Sequence, residues 1–223
     1  MKVGTDGVLL GAWAPISKFK IQDSKLRILD VGTGSGLVAL MLAQRCPEAQ
    51  IDAIDIDEAA AIQAKENFEN SPWGPCMHAH RASLQEWNGG PYGLIVSNPP
   101  YFRNSLKNPD KGRELARHTD SLNYEELIKY SAKLLTEHGQ LALILPAEAE
   151  TEVCTLADTE GLCLTHVTRV YSKESKPARR VLMAFSRNTG ITGYRNAEDI
   201  LVLEDEKGGR SLPYQELCKE FYL

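Results

Sequence analysis

The sequence has 223 residues and a formal net charge of −5, because 25 basic residues face 30 acidic ones. This balance excludes a generally basic nucleic-acid coat protein, although it leaves room for a local basic patch. Apolar residues make up 43% of the chain and charged residues 25%, which is typical of a globular domain and excludes a disordered or fibrous chain. No stretch is long and apolar enough to cross a membrane, and the amino terminus shows no secretory pattern.

The cysteines point to a reducing compartment. There are five of them, an odd number, and no two stand at C-x-x-C spacing. This spacing predicts neither a disulfide framework nor a metal site, and we expect free thiols in a cytoplasmic protein. The cysteines are Cys46, Cys76, Cys154, Cys163 and Cys218.

Short β-rich runs alternate with longer helical patterns, which predicts an α/β fold with a Rossmann-like parallel sheet and helices on both faces. We predict a seven-stranded, mostly parallel sheet that ends in an antiparallel C-terminal hairpin. The predicted strands are Leu26–Val31, Ile51–Ile56, Met77–Arg81, Tyr92–Ser97, Gln140–Leu145, Leu162–Tyr171 and Arg180–Phe185. The longer predicted helices are Leu37–Cys46, Glu58–Asn70 and Tyr124–Glu137.

The chain shows no repeat and no linker, so we predict one domain over residues 1–223. One stretch stands out within it, because residues 102–121 are polar and lack a helical or strand period. We interpret this stretch as a substrate lid.

A glycine-rich loop follows the first predicted strand. The sequence D-V-G-T-G-S-G runs from Asp30 to Gly36 and leads into a helical pattern. Glycines allow positive φ angles and let a ligand approach the backbone, and the helix that follows presents free N–H groups. Asp55 ends the second strand about twenty positions on, where an acidic residue can hold both hydroxyls of a ribose. The loop therefore predicts a nucleotide-type cofactor.

The identity of this cofactor stays open at the glycine loop. The D-x-G-x-G-x-G form resembles the first motif of S-adenosylmethionine enzymes. Counted from Gly34, however, the loop also fits the dinucleotide pattern G-x-G-x-x-A, with Ala39 in the last place. An enzyme that uses NAD is thus an alternative at this point.

The motif N-P-P-Y at residues 98–101 favours the first alternative. It follows the fourth strand directly, so its catalytic candidates Asn98, Pro99, Pro100 and Tyr101 face the glycine loop at the same edge of the sheet. The motif resembles that of methyltransferases acting on a planar nitrogen, whose lone pair is delocalised. The amide oxygen of Asn98 and the carbonyl of Pro99 can accept its two N–H groups and localise the lone pair, while Tyr101 stacks on the planar group. An NAD enzyme has no use for this arrangement.

Four runs together extend the resemblance over essentially the whole chain. They are K-V-G-T-D-G-V-L-L-G-A-W-A at residues 2–14, S-P-W at 71–73, N-P-P-Y-F at 98–102 and R-V-L-M-A-F at 180–185. With these runs the sequence resembles the bacterial valine-tRNA adenine-N6 methyltransferase family. The resemblance implies a class I methyltransferase fold, S-adenosyl-L-methionine as cofactor, and methylation of the adenine immediately 3′ of the anticodon. We expect a monomer that binds tRNA, without a metal and away from membranes.

The resemblance also implies a cofactor site. Residues 1–24 are expected to cover the cofactor, with Thr5 and Gly7 against it; alternatively, Thr5 or Asp6 only caps the helix that follows. Ser83 stands where many relatives carry an acidic residue, and it is a weaker acceptor. The implied cofactor-binding residues are Thr5, Gly7, Asp30, Gly32, Gly34, Gly36, Asp55, Ile56, Ser83, Leu84 and Asn98.

Two basic segments are candidates for RNA binding. Between residues 103 and 117 there are five basic and two acidic residues, and between residues 169 and 187 there are six basic residues and one acidic. Both segments could flank the site and contact tRNA phosphates, or they could be ordinary solvated surface. The candidate RNA-binding residues are Arg103, Lys107, Arg113, Lys173, Lys176, Arg179 and Arg180.

Two further functions remain open. An N-P-P-Y enzyme could act on guanine N2 of ribosomal RNA or on a protein glutamine. The chain could also be a non-catalytic relative that binds RNA or the cofactor.

Overall fold

The structure, a computed structural model, describes residues 4–16, 26–99, 122–187 and 197–221. Within these ranges the chain forms eight strands and six α-helices. The strands are β1 (Arg27–Val31), β2 (Gln50–Asp55), β3 (Met77–Arg81), β4 (Tyr92–Ser97), β5 (Leu135–Pro146), β6 (Leu162–Tyr171), β7 (Ala178–Arg187) and β8 (Ala197–Val202). The helices are α1 (Thr5–Trp13), α2 (Leu37–Arg45), α3 (Glu58–Glu69), α4 (Tyr124–Leu134), α5 (Glu150–Thr159) and α6 (Leu212–Cys218).

All eight strands belong to one sheet with the order β3-β2-β1-β4-β5-β7-β6-β8. The first five of these run parallel to one another, β7 is antiparallel to both β5 and β6, and β8 is parallel to β6. This confirms the predicted mostly parallel sheet with an antiparallel hairpin. The hairpin inserts β7 next to β5, so the turn between β6 and β7 lies at the same edge of the sheet as the carboxyl end of β5.

Two apolar clusters cover the two faces of the sheet, which confirms the predicted helices on both sides. One cluster packs α1, α2, α3 and α6 against the sheet, and the other packs α4 and α5. Strands β1 and β4 are the most buried, because both of their faces are covered, and their sequences are accordingly apolar runs.

The strand count of seven was wrong, because β8 forms an eighth strand. Four of its six residues, Ala197 to Ile200, are exposed, so the sequence lacks the alternation that marks a half-buried strand. Polar contacts hold this edge strand to β6. Asp199 pairs with His166 at 2.6 Å, and Glu198 pairs with Arg169 at 3.2 Å.

The predicted end of the helix at Glu137 was also wrong. Helix α4 ends at Leu134, and β5 already begins at Leu135, which pairs with Tyr92 of β4. Arg187 at the end of β7 donates hydrogen bonds to the carbonyls of Ala132 and Leu135 and so satisfies the open end of the helix. A contact between residues more than fifty positions apart leaves no local signal.

Among the described residues, no helix is long and apolar enough to span a membrane.

Candidate active site

The glycine loop connects β1 to α2 at the carboxyl edge of the sheet. Gly32, Gly34 and Gly36 have φ angles of 70°, 59° and 80°, in the region that side chains disfavour. A Cβ on Gly36 would lie 2.5 Å from the ring of Phe68, so this position needs glycine for space as well. A Cβ on Gly32 would meet nothing within 4 Å. The glycine loop is therefore closely packed against α3 at Gly36 and open at Gly32. A loop that binds a ligand with its backbone needs such an open side.

Asp30 fixes the loop from below. Its carboxylate is 2% exposed and accepts hydrogen bonds from the Thr33 hydroxyl at 2.7 Å and from the Ala39 backbone N–H at 3.2 Å. Burial raises the pKa of Asp30 from its ordinary value of 3.8 to about 6, although the two hydrogen bonds act in the opposite direction. Asp30 thus ties the start of the loop to the first turn of α2.

The raised pKa predicts a pH-dependent cost to stability. A buried carboxyl group that prefers its neutral form stabilises the fold below pH 4, and this contribution is lost as the pH rises through about 6. Asp30→Asn, which stays neutral, should therefore gain stability relative to the unchanged protein between pH 4 and pH 7, by about 3 kcal/mol. Urea unfolding at several pH values measures this difference. The exposed Asp158→Asn serves as control, and a difference that is independent of pH would contradict the assignment.

Asp55 lies beside the open side of the loop. One carboxylate oxygen accepts the Gly34 N–H at 2.9 Å, and the other accepts the Asp57 N–H at 3.0 Å. These bonds orient a half-exposed carboxylate at the end of β2, and each oxygen keeps a lone pair for a further donor. Ile56, the next residue, is 52% exposed although it is a large apolar side chain. Acceptor and apolar surface together suit the ribose and the base of a nucleoside.

The loop after β3 lies next to Asp55, because the Ala82 N–H donates to the Asp55 carbonyl at 3.0 Å. Ser83 donates its hydroxyl to the carboxylate of Glu86 at 3.1 Å. Leu84 is only 3% exposed and packs in the core, so only its backbone can face a ligand. Glu86, which was not among the predicted site residues, brings to this loop the acidic group that position 83 lacks. Glu86 stands three residues after Ser83, and this spacing within a tight turn could have predicted that the two side chains meet.

Asn98 and Pro99 follow β4 directly. The Ser97 hydroxyl, fully buried, donates to the Val31 carbonyl at 2.8 Å and so joins the end of β4 to the end of β1. Since neighbouring strands lie about 5 Å apart, the backbone at Asn98 is held one strand away from the glycine loop. Asn98 is half-buried and Pro99 is buried. Pro100 and Tyr101, the other predicted catalytic residues, lie outside the described residues, as do residues 102–121 of the predicted lid.

Helix α1 packs along α2 in the same direction, because Gly7 lies against Leu37 and Gly11 lies against Met41. Its first turn therefore lies beside the start of α2. Gly7 is buried, and a Cβ there would lie 3.2 Å from the Leu37 side chain, at the point where the glycine loop passes into α2. The close packing of α1 against α2 therefore favours glycine at position 7. Thr5 is exposed. The alternative that Thr5 or Asp6 is the N-cap of the helix was wrong, because Gly4 occupies the N-cap position and has no side chain to accept the free N–H groups.

The basic candidates behave differently from one another. Arg103, Lys107 and Arg113 lie outside the described residues. Lys173, Lys176 and Arg179 are exposed on or beside the turn between β6 and β7, at the site's edge of the sheet, and Lys173 pairs with Glu204 at 3.3 Å. Arg180 differs from these three. Its guanidinium is engaged with Asp6 at 3.0 Å.

Comparison with known proteins identifies the family of the chain. Residues 11–159 match the family model of the methyltransferase small domain. A protein of Flavobacterium psychrophilum named tRNA1(Val) (adenine(37)-N6)-methyltransferase is 44% identical, over 100% of this chain and 93% of its own length. The chain belongs to this methyltransferase family. That membership confirms the resemblance drawn from the four sequence runs.

Solved structures show the same fold. A predicted O-methyltransferase from Agrobacterium tumefaciens superposes with a TM-score of 0.70 at 17% identity, covering 96% of this chain and 95% of its own. A TehB-like S-adenosylmethionine-dependent methyltransferase from Corynebacterium glutamicum does so with a TM-score of 0.54 at 17% identity, covering 84% and 89%. The glycine loop, the oriented Asp55 and the exposed Ile56 fit S-adenosyl-L-methionine. Within the described ranges, no three His, Cys, Asp or Glu residues cluster as metal ligands.

Proposed function

We propose that this protein transfers a methyl group from S-adenosyl-L-methionine to N6 of adenine 37 in valine tRNA. The observation that supports it most is the geometry of the two strand ends. Asn98 follows β4, the glycine loop follows β1, and the Ser97–Val31 hydrogen bond fixes these strands side by side. The relative from Flavobacterium psychrophilum carries the corresponding activity in its name. Because the proposed substrate is tRNA, we place the enzyme in the cytoplasm.

The chain's own residues perform two tasks in this reaction. Asp55 and the backbone around Gly32 and Gly34 bind and orient the cofactor, which supplies an electrophilic methyl group on sulfur. The Asn98 amide oxygen and the Pro99 carbonyl accept hydrogen bonds from the two N–H groups of the adenine amino group. These bonds localise the lone pair on the nitrogen instead of in the ring. Pro99 is buried and rigid, so these acceptors are in place before the base arrives, and no reorganisation is needed during transfer. The proton leaves after the transfer, and no general base is required.

Methylation of an unmodified valine tRNA transcript tests the proposal. Incubation with radiolabelled cofactor should label this tRNA, and nucleoside analysis should find N6-methyladenosine. Ribosomal RNA and a release factor, offered in parallel, represent the guanine N2 and glutamine alternatives. Label in either of these but not in tRNA would contradict the substrate. Cofactor binding without transfer to any of the three would indicate the non-catalytic alternative.

We further propose that the turn between β6 and β7 contacts tRNA phosphates. Lys176 and Arg179 are exposed there, and β7 lies two strands from β4, hence about 10 Å from the end of the strand that carries Asn98. The double variant Lys176→Glu, Arg179→Glu should raise the KM for tRNA about tenfold and flatten its dependence on salt, because two phosphate contacts are lost. The Kd of S-adenosylhomocysteine should stay the same.

The matched control is Lys129→Glu, Lys133→Glu, which makes the same change in net charge on the exposed side of α4. An equal rise in KM in both double variants would show that only the overall charge matters. The assay is steady-state methylation of tRNA at 50 and 200 mM salt.

A further inference from the structure

An ion pair joins the start of the chain to its C-terminal hairpin. The Nε of Arg180 donates to the Asp6 carboxylate at 3.0 Å, across a sequence separation of 174 residues. A second guanidinium nitrogen, Nη1, donates to the Arg179 carbonyl at 2.9 Å. The side chains of Asp6 and Arg180 are only 24% and 28% exposed. This partial burial distinguishes the pair from the solvated pairs of the surface, which contribute little.

The pair holds a helix start that lacks a cap of its own. Gly4 stands at the N-cap of α1 and offers no side chain to the free N–H groups. The N-terminal position of Asp6 also suits the helix dipole, because a carboxylate is favourable in the first turn. The contact with Arg180 therefore supplies a tether where a capping side chain is missing.

The tether lies beside the reacting groups. On one side, Gly7 packs on Leu37, next to the glycine loop at the end of β1. On the other side, Arg180 stands level with Pro146, at the carboxyl end of β5. The first turn of α1 therefore contacts the start of α2 through Gly7 and β7 through Asp6. In the sheet order β1-β4-β5-β7, strands β4 and β5 stand between the strand that leads into α2 and the strand that carries Arg180. Asn98 lies between these two attachment points.

We propose that Asp6 and Arg180 are positioning residues, whose ion pair holds the first turn of α1 over the mouth of the cofactor pocket. This inference rests on the proposed function for the identity of the cofactor. It also changes the expected role of Arg180, which acts through α1 instead of binding an RNA phosphate.

Calorimetric titration with S-adenosylhomocysteine, without RNA, tests the proposal on the full chain. Asp6→Asn and Arg180→Gln should each weaken binding about tenfold, because each breaks a charge-assisted contact. The double variant should be no weaker than either single variant, since one pair is lost in all three. Arg180→Lys, which keeps the charge, should retain most of the affinity. It keeps the proposal testable if Arg180→Gln fails to fold.

The matched control is Arg27→Gln. Arg27 forms an arginine–aspartate pair of the same length, 3.0 Å, with Asp52, but it stands at the amino end of β1, away from the site. This variant should lower the melting temperature and leave the Kd unchanged, which separates positioning from general stability.

Three results would overturn the proposal. The first is a Kd within twofold of the unchanged protein in both single variants. The second is a double variant whose loss equals the product of the single losses. The third is an unchanged Kd in Arg180→Gln combined with a raised KM for tRNA, which would make Arg180 an RNA contact. If the unchanged protein binds no S-adenosylhomocysteine, the cofactor assignment itself fails, and the inference with it.

Discussion

Asn98→Ala should abolish most methyl transfer while the cofactor still binds. The side chain removed is half-buried at the end of β4 and supplies one of two acceptors for the adenine amino group. Loss of one preorganised polar group of this kind lowers kcat by about 100- to 1,000-fold. The Kd of S-adenosylhomocysteine should change by less than about threefold, because the glycine loop and Asp55 remain in place. Single-turnover methylation of valine tRNA and calorimetry measure the two quantities.

The control for this variant is Asn70→Ala. Asn70 is an exposed asparagine whose amide donates to the Glu66 carbonyl at the end of α3, at 2.7 Å. Its loss should leave kcat unchanged. If Asn98→Ala retains more than a tenth of the activity, the backbone carbonyl of Pro99 alone activates the nitrogen, and the role given to the amide is wrong.

Much of the fold could be predicted because the information is local. Strand β4 was predicted with its observed bounds, Tyr92–Ser97, since it is an apolar run that is buried on both faces. The glycine loop is equally local, because the residues that need positive φ angles stand within five positions of one another. A loop of this kind after a parallel strand also fixes the edge of the sheet where the site lies. Sequence alone therefore placed Asn98 and Asp55 on the correct strand ends.

The features that were missed depend on residues far apart in the chain. Strand β8 is defined by its pairing with β6, and nothing in its own exposed side chains indicates a strand. The engagement of Arg180 depends on Asp6, at the other end of the sequence. Counting charges in the segment made Arg180 look equivalent to Arg179. Only the fold shows that one guanidinium is partly buried and bound while the other is exposed.

The sequence also could not show how Asp55 is oriented. Its place at the end of β2 follows from the spacing to the glycine loop, but its two backbone partners do not. The Gly34 N–H reaches the carboxylate only because the loop turns back toward β2. Two further bonds hold it there, from the Gly32 and Thr33 N–H groups to the Ile54 carbonyl, at 2.9 and 3.1 Å. The Asp55 carboxylate and the glycine loop therefore hold each other in place.

This coupling predicts a large loss of cofactor affinity in Asp55→Ala, about 100-fold. The variant removes the ribose acceptor, and it also frees the Gly34 N–H that shapes the loop, so two contributions are lost together. The affinity of Asp55→Asn should lie between those of the unchanged protein and of Asp55→Ala, because its amide oxygen can still accept one N–H but carries no charge. Calorimetry with S-adenosylhomocysteine measures all three affinities.

Asp57→Ala is the matched control, since Asp57 is an aspartate two residues away whose carboxylate accepts the Ala59 N–H at the start of α3. Losing this cap should cost about 1 kcal/mol of stability and leave the Kd within twofold. The backbone N–H of Asp57, which donates to Asp55, is retained in this variant. If Asp57→Ala weakens binding as much as Asp55→Ala, the loss comes from disturbing the loop between β2 and α3, and the direct contact between Asp55 and the ribose is refuted. If only the Asp55 variants lose affinity, the carboxylate at the end of β2 is the group that selects a ribose-bearing cofactor.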